Sequence, residues 1–350
     1  MPKAICADKP GGTEVLDWRE IETPKLGPDD VLIHQTKIGL NFIDVYMTSG
    51  TSPFPENGPQ IPGGEAAGVV AEVGANVEFL QIGDRVAYTT ANGAFREERV
   101  LPAEKIVKLP DNVSDEVAAA SMLKGMTVEY LLNRSFKVQK SHTVLFHAAA
   151  GGVGLIAGQW LNYIGAESIG TVGSDDKIEL AKDAGYSHVI NYNKSNFVEE
   201  VRRITDGIGV DVAYDSVGQA TYPNTLSCLK KFGLFVSFGQ SSGIIKNVAM
   251  GDLQKNGSLY AQRPTLFDFI SDPESLQEVS DNMFEMLAAG HINMHINQRY
   301  PLKDVPKAFE ALMARKTTGA TVLMWGEINV IGALEGTSIL RKPCRRIGYI

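Results

Sequence analysis

Between Thr143 and Gly154 the chain reads TVLFHAAAGGVG, an apolar run that passes straight into a glycine-rich turn and then into an amphipathic stretch reaching Tyr163. A strand joined to a helix through glycines opens a dinucleotide-binding βαβ unit, because the glycines let a pyrophosphate approach the backbone and let the helix approach the strand. Set against G-x-G-x-x-G, Ala149 takes the first glycine position, Gly151 the second and Gly154 the third. Alone, such glycines can serve turn geometry and nothing else. Here four more βα units follow: SIGTV with a helix to Ala184, HVINY with a helix to Ile204, VDVAYDSV with a helix to Leu229, and LFVSFG. That alternation predicts an α/β, doubly wound parallel sheet with right-handed crossovers, and helix N-terminal amides that hold phosphate.

The remainder divides around this core. A chain of 350 residues exceeds what one hydrophobic core serves, so two domains are expected. From Lys3 to Pro110 the pattern is short, β-rich and broken by turns, as in Val31-Leu32-Ile33-His34 and Asp84-Arg85-Val86-Ala87-Tyr88, and reads as an antiparallel or barrel-like domain. Ser114 is placed to cap a linking helix that runs to Leu132. After Arg263 come a helix near Leu276 to Leu287, a strand around Gln298, a helix from Asp304 to Met313 and a strand from Ala320 to Met324, returning to the first domain. The expected division is 1–124 for the first part of the β-rich domain, 125–265 for the nucleotide-binding domain, 266–325 for the return, and 326–350 for a tail with the basic cluster Arg341-Lys342 and Arg345-Arg346.

The end of the second strand of the nucleotide unit selects the cofactor. An NAD site places Asp or Glu there to accept from the ribose 2′-OH. This chain has Thr171-Val172-Gly173-Ser174, which leaves room for a 2′-phosphate within reach of Lys177 and so favours NADPH. Asp175 and Asp176 follow; turned inward they would repel the phosphate, and their expected role is to cap the helix carrying Lys177.

Several classes are disfavoured. A formal net charge of -8 argues against broad nucleic-acid binding, no run of eighteen apolar residues suggests a membrane span, and Met1 to Ala7 lacks the apolar stretch of a secretory signal. Cys6, Cys228 and Cys344 are widely spaced and form no CxxC pair, which suits a reducing cytoplasm. His291 and His295 stand four apart but follow Gly290 with no third ligand nearby, so a metal site is not expected. His147 reads as a packed residue bonded to backbone, and Asp215-Ser216 lacks the G-x-S-x-G elbow of a hydrolase.

AAAGGVG at 148–154, INYN at 190–193, YDSVG at 214–218 and SFGQSSG at 237–243 resemble the quinone oxidoreductase family. IGLNFIDVYMTSG at 38–50, PGGEAAGVVAEVG at 62–74 and IGDRVAY at 82–88 resemble its N-terminal motifs in the same order, so the likeness covers residues 3–325. It implies a GroES-like catalytic domain beside a Rossmann domain, a homodimer, and no zinc. The zinc alcohol dehydrogenases carry a Cys where this chain has Asn41 and a His-Glu pair where it has Gly64-Glu65. The resemblance further implies nicotinamide contacts at Asn41, Tyr46 and Thr127, phosphate contacts at Ala150, Gly151, Gly152, Val153 and Gly154, and a 2′-phosphate site of Gly173, Ser174, Lys177 and Tyr192. Phe238, Gly239, Ser241 and Arg263 match positions near the nicotinamide, and Arg315 is a weaker match near the C-terminal strand. Without the resemblance, Asn41 and Tyr46 read equally well as polar groups between domains, Phe238 as core and Lys177 as a solvated charge.

The expected activity is transfer of reducing equivalents from NADPH to a quinone, whose ring and two oxygens spread negative charge without a metal, with protons from solvent or from a hydroxyl such as Tyr46. The same residues suit a 2-alkenal or enone reductase. An NADPH-regulated RNA-binding or crystallin-like protein is the alternative of another class, and the acidic charge weighs against it.

Overall fold

The computed structural model describes residues 1–325 other than 52, 53, 56 and 57, so the tail 326–350 lies outside the described residues. The chain begins with an antiparallel ribbon of β1 (Lys3–Cys6) and β2 (Asp17–Glu20). Next come β3 (Asp30–Leu40), the short α1 (Phe42–Thr48), β4 (Glu65–Val73), β5 (Arg85–Thr89), β6 (Glu98–Pro102) and β7 (Ile106–Lys108). In β3 the alternation is explicit: Val31 and Ile33 face inward and are buried, while Leu32 and His34 are not. The following helix, α2 (Asp115–Tyr130), starts where Ser114 accepts a hydrogen bond from the Val117 amide.

The second lobe runs β8 (Thr143–Phe146), α3 (Gly152–Ile164), β9 (Glu167–Val172), α4 (Ile178–Asp183), β10 (His188–Asn191), α5 (Phe197–Ile204), β11 (Val210–Asp215), β12 (Leu229–Ser237), α6 (Met250–Lys255) and β13 (Tyr260–Gln262). Its strands pair in parallel in the order β10-β9-β8-β11-β12-β13, the doubly wound arrangement in which the strand order reverses beside the first strand. The α-helix expected up to Leu229 is not formed. Asn224–Cys228 makes only a 3-10 turn, because Asp215 accepts from the amides of Val217 and Gly218 and from the Thr221 hydroxyl, folding the segment back over the strand end, and Pro223 has no amide to donate.

The chain then passes through α7 (Leu266–Phe269), α8 (Pro273–Ala288), β14 (Ile296–Pro301), α9 (Val305–Met313) and β15 (Ala320–Met324). Strands β14 and β15 join the first lobe in a seven-stranded sheet, ordered β14-β15-β3-β4-β5-β7 with β6 on the free part of β3. Helix α2 lies between the lobes, its Ala119 and Met122 buried with Ala67 of β4 on one side and with Ile156 of α3 and Met283 of α8 on the other. Gly125 lets α8 approach, since a Cβ there would lie 2.5 Å from the Met283 sulfur. No described helix is long and apolar enough to cross a membrane.

Candidate functional site

The glycine turn lies at the C-terminal end of β8, where a doubly wound sheet presents its ligand crevice. Ala148 bends the chain with φ 58°, Gly151 caps α3, and Gly154 packs against the turn so closely that a Cβ would lie 2.3 Å from the Ala148 carbonyl oxygen. The amides of Gly152, Val153 and Gly154 open the helix and have no partner within it, which leaves them free for an anion. A loop of the other lobe borders the turn: Gly319 forms a parallel bridge with Gly151 and donates its amide to the Ala150 carbonyl at 3.4 Å. Gly319 itself has φ 60° and lies so near His295 that a Cβ would be 2.2 Å from its carbonyl oxygen.

At the end of β9, Gly173 sits under the Tyr192 ring, and a Cβ there would lie 2.7 Å from the phenol oxygen. Asn193 donates its side-chain amide to the Gly173 carbonyl at 2.7 Å. Lys177 donates to the Arg315 carbonyl at 3.1 Å, so the backbone of Arg315, at φ 57°, and the Lys177 ammonium meet beside half-buried Ser174. Asp175 and Asp176 lie in the first helical turn as expected, but the Asp175 side chain does not cap it. The Asp175 carboxylate takes a hydrogen bond from Asn191 at 2.7 Å and pairs with Lys194, because β10 ends directly beneath it; the Ser174 side chain provides no cap either.

Opposite stand the residues matched to a nicotinamide site. Tyr46, on α1, holds its ring at a tilt to Phe42 with centroids 5.4 Å apart and faces the β12 end, where Gln240 and Ser241 follow Phe238 and Gly239. Burial pushes the Tyr46 phenol up to about 12 against the pull of the Gln240 backbone and Arg263, so it stays protonated and able to donate. Arg263 braces this loop, donating to the carbonyls of Ser237 at 2.7 Å and Gly239 at 3.3 Å and to the Gln240 side chain at 3.2 Å. Phe238 packs on Phe146 with ring centroids 5.6 Å apart. A cavity of about 600 Å³ opens between the lobes, lined by Tyr46 and Thr51 on one side and Gln219, Gln240, Ser241 and Ile244 on the other. Thr127 is half-buried one turn beyond Lys124 on α2.

Sequence reasoning missed the cluster behind Asn41. Asn41 is buried and donates its side-chain amide to Glu65 Oε1 at 2.8 Å, and the same oxygen accepts from Lys124 Nζ at 2.7 Å. Glu65 Oε2 accepts from the Leu123 amide at 2.6 Å, and Asp44 Oδ2 accepts from the Asn41 amide nitrogen at 2.7 Å. Burial pushes the Asp44 carboxyl up to about 8, and its Oδ1 has no hydrogen-bond partner among the described residues. One signal was available: a lysine stands inside the apolar stretch SMLKGM of α2, where a charge survives only if paired.

His147 is fully buried with burial holding it neutral, but its partners are the hydroxyls of Thr171 and Thr225, each at 2.9 Å, and not backbone as expected. The reason is the neighbouring strand and 3-10 turn, which place threonines against both ring nitrogens. His291 packs at a tilt against Tyr163 with ring centroids 4.2 Å apart, and among the described residues no three His, Cys, Asp or Glu side chains gather as a metal site.

Comparison with known proteins agrees with this geometry. Residues 27–111 match the alcohol dehydrogenase GroES-like domain, and residues 152–283 match the family described as zinc-binding dehydrogenase. A quinone oxidoreductase of Pseudomonas aeruginosa is 45% identical over 325 residues, spanning 93% of this chain and 100% of that protein. A 2-haloacrylate reductase of Burkholderia is 39% identical, spanning 93% and 99%. The crystal structure of Escherichia coli quinone oxidoreductase complexed with NADPH superposes with a TM-score of 0.90 at 44% identity, covering 92% of this chain and 99% of that one. With both lobes matched along their whole length, the chain belongs to the quinone oxidoreductase family of medium-chain dehydrogenases and reductases.

Proposed function

We propose that the chain is an NADPH:quinone oxidoreductase that transfers reducing equivalents in the cleft between its lobes without a metal. The observation that carries the NADPH reading is the end of β9. Gly173 leaves a floor under Tyr192, Lys177 is presented beside the Arg315 backbone, and the Asp175 carboxylate is held by Asn191 and Lys194. The free amides of the α3 N-terminus fit a pyrophosphate.

In this reading Gly151 to Gly154, with Ala150, hold the pyrophosphate, and Gly173, Ser174, Lys177, Tyr192 and Arg315 hold the 2′-phosphate. Asn41, Tyr46 and Thr127 face the nicotinamide, whose chemistry when bound is donation of hydride. Phe238 and Gly239 set the far wall, while Arg263 fixes the loop that carries Ser241. Tyr46, protonated at neutral pH, is placed to donate a proton or a hydrogen bond to an acceptor oxygen in the cavity. Asn41 and Gly64-Glu65 stand where the zinc relatives carry a Cys and a His-Glu pair, and Asn41, Glu65 and Lys124 offer no thiolate or imidazole to hold that ion.

The working division is a catalytic lobe from 1–124 and 266–325 and a nucleotide lobe from 125–265. We take the protein to be cytoplasmic and homodimeric. Edge strand β13 has a free side and carries the exposed Tyr260, which suits a paired edge. The likeness to a 2-haloacrylate reductase favours one second reading, reduction of an electron-poor alkene. A panel of quinones and enones, assayed with NADPH and NADH with and without a chelator, tests these readings. Chelator-resistant, NADPH-dependent quinone turnover is expected; turnover of enones alone would select the second reading, and loss of activity to the chelator would overturn the metal-free mechanism.

A further inference from the structure

The Glu65–Lys124 pair is sealed from solvent, with side-chain exposures of 0% and 7%. Removing one member of such a pair is strongly destabilising, yet replacing both by neutral residues is often harmless, so stability alone does not explain its presence. Its contacts do. Glu65 ties down the nitrogen of the Asn41 side chain, which decides which way that amide presents its oxygen. The stem of Lys124 lies on the glycine turn: a Cβ on Gly152 would come within 3.0 Å of its Cδ and 3.1 Å of its Cε. The pair therefore touches the Asn41 amide at one end and the start of α3 at the other. Beside it the Asp44 carboxyl, tied to the Asn41 backbone, keeps one oxygen without a partner among the described residues in a fully buried position.

We propose that Lys124 is a positioning residue for hydride transfer: through Glu65 it locks the Asn41 amide, and through its stem it sets that amide's distance from the glycine turn. An ammonium supplied by α2 thus stands between the two positions, Asn41 and Gly64-Glu65, that carry metal ligands in the zinc relatives. The inference rests on the NADPH reading above and deepens it. It assigns Lys124 no contact with the acceptor.

The test compares the parent protein with Lys124→Met, with the neutral double variant Lys124→Met/Glu65→Gln, and with Glu65→Asp, which keeps the charges but shortens the reach. NADPH and 1,4-naphthoquinone serve as probes, with kcat, the Kd for NADPH from nicotinamide fluorescence, and Tm as readouts. The double variant is expected to regain the Tm lost in the single one, while its kcat stays at least roughly tenfold below the parent and its Kd moves by less than about threefold. Glu65→Asp is expected to lower Tm and to lose kcat even when assayed well below its own Tm. Recovery of kcat together with Tm in the double variant, or an unchanged kcat in Glu65→Asp, would overturn the proposal and leave a purely structural pair. A parent that reduces no quinone removes the functional reading alone; positioning is then read from the bound-NADPH emission, which must differ between the parent and Glu65→Asp, identical spectra counting against it.

Discussion

Asp44 is an acid held neutral by burial, and this fixes the sign of a pH effect. An unfolded Asp loses its proton near 3.8, whereas the folded one keeps it to about 8. Across that window the folded state binds the extra proton, so stability falls as pH rises and levels off above it. Asp44→Asn copies the neutral acid and removes this dependence: calorimetry is expected to show a smaller loss of Tm between about pH 5 and about pH 8 in the variant than in the parent. At Lys177 the argument is one of charge. Lys177→Glu is expected to raise the KM for NADPH by roughly tenfold to a hundredfold while that for NADH changes by less than about threefold, as removal of a charge-assisted hydrogen bond implies. Equal effects on the two coenzymes would refute the 2′-phosphate assignment. Neither Asp44 nor Lys124 was legible as part of the site, because each draws its meaning from Glu65, and Glu65 lies 21 residues from one and 59 from the other along the chain.

Elements whose signals are local were read well. The turn from β8 into α3 needs glycine at fixed offsets whatever surrounds it, and the β-rich run at 31–34 in β3 and the Ser114 cap are equally self-contained. Gly154 shows how tight the requirement is: Gly154→Ala would press a methyl against two carbonyl oxygens of the turn. It is expected to destabilise the fold by about 1–3 kcal/mol and to weaken NADPH binding, measurable by thermal melts and by fluorescence titration. The segment after β11 was misread for the opposite reason. Its apolar pattern allowed a helix, but hydrogen bonds to Asp215 bend it into a 3-10 turn, and propensity has no access to that competition. Asp175 is a similar case, captured by Lys194 and Asn191 from the next βα unit where a local rule had it capping its own helix.

For the molecule as a whole, the proposed cofactor bridges two lobes through contacts that the free protein presents separately. Ligand that binds only the folded state stabilises by mass action, so NADPH at a hundred times its Kd is expected to add about 2.7 kcal/mol and raise Tm, with NADH at the same concentration adding less. Differential scanning fluorimetry checks this, and equal shifts would argue against the phosphate pocket. The seven-stranded sheet carries a further consequence. Its β3 edge at Ile38–Leu40 pairs with Thr321–Leu323, nearly three hundred residues later. On the ribosome the nucleotide-binding lobe can therefore finish folding while the lobe begun first still waits, its edge unpaired, for the last strand to emerge. A nascent chain stalled before β14 should bury its parallel sheet yet remain open to protease between β3 and β7, and it would lack the Arg315–Gly319 loop that closes over the glycine turn.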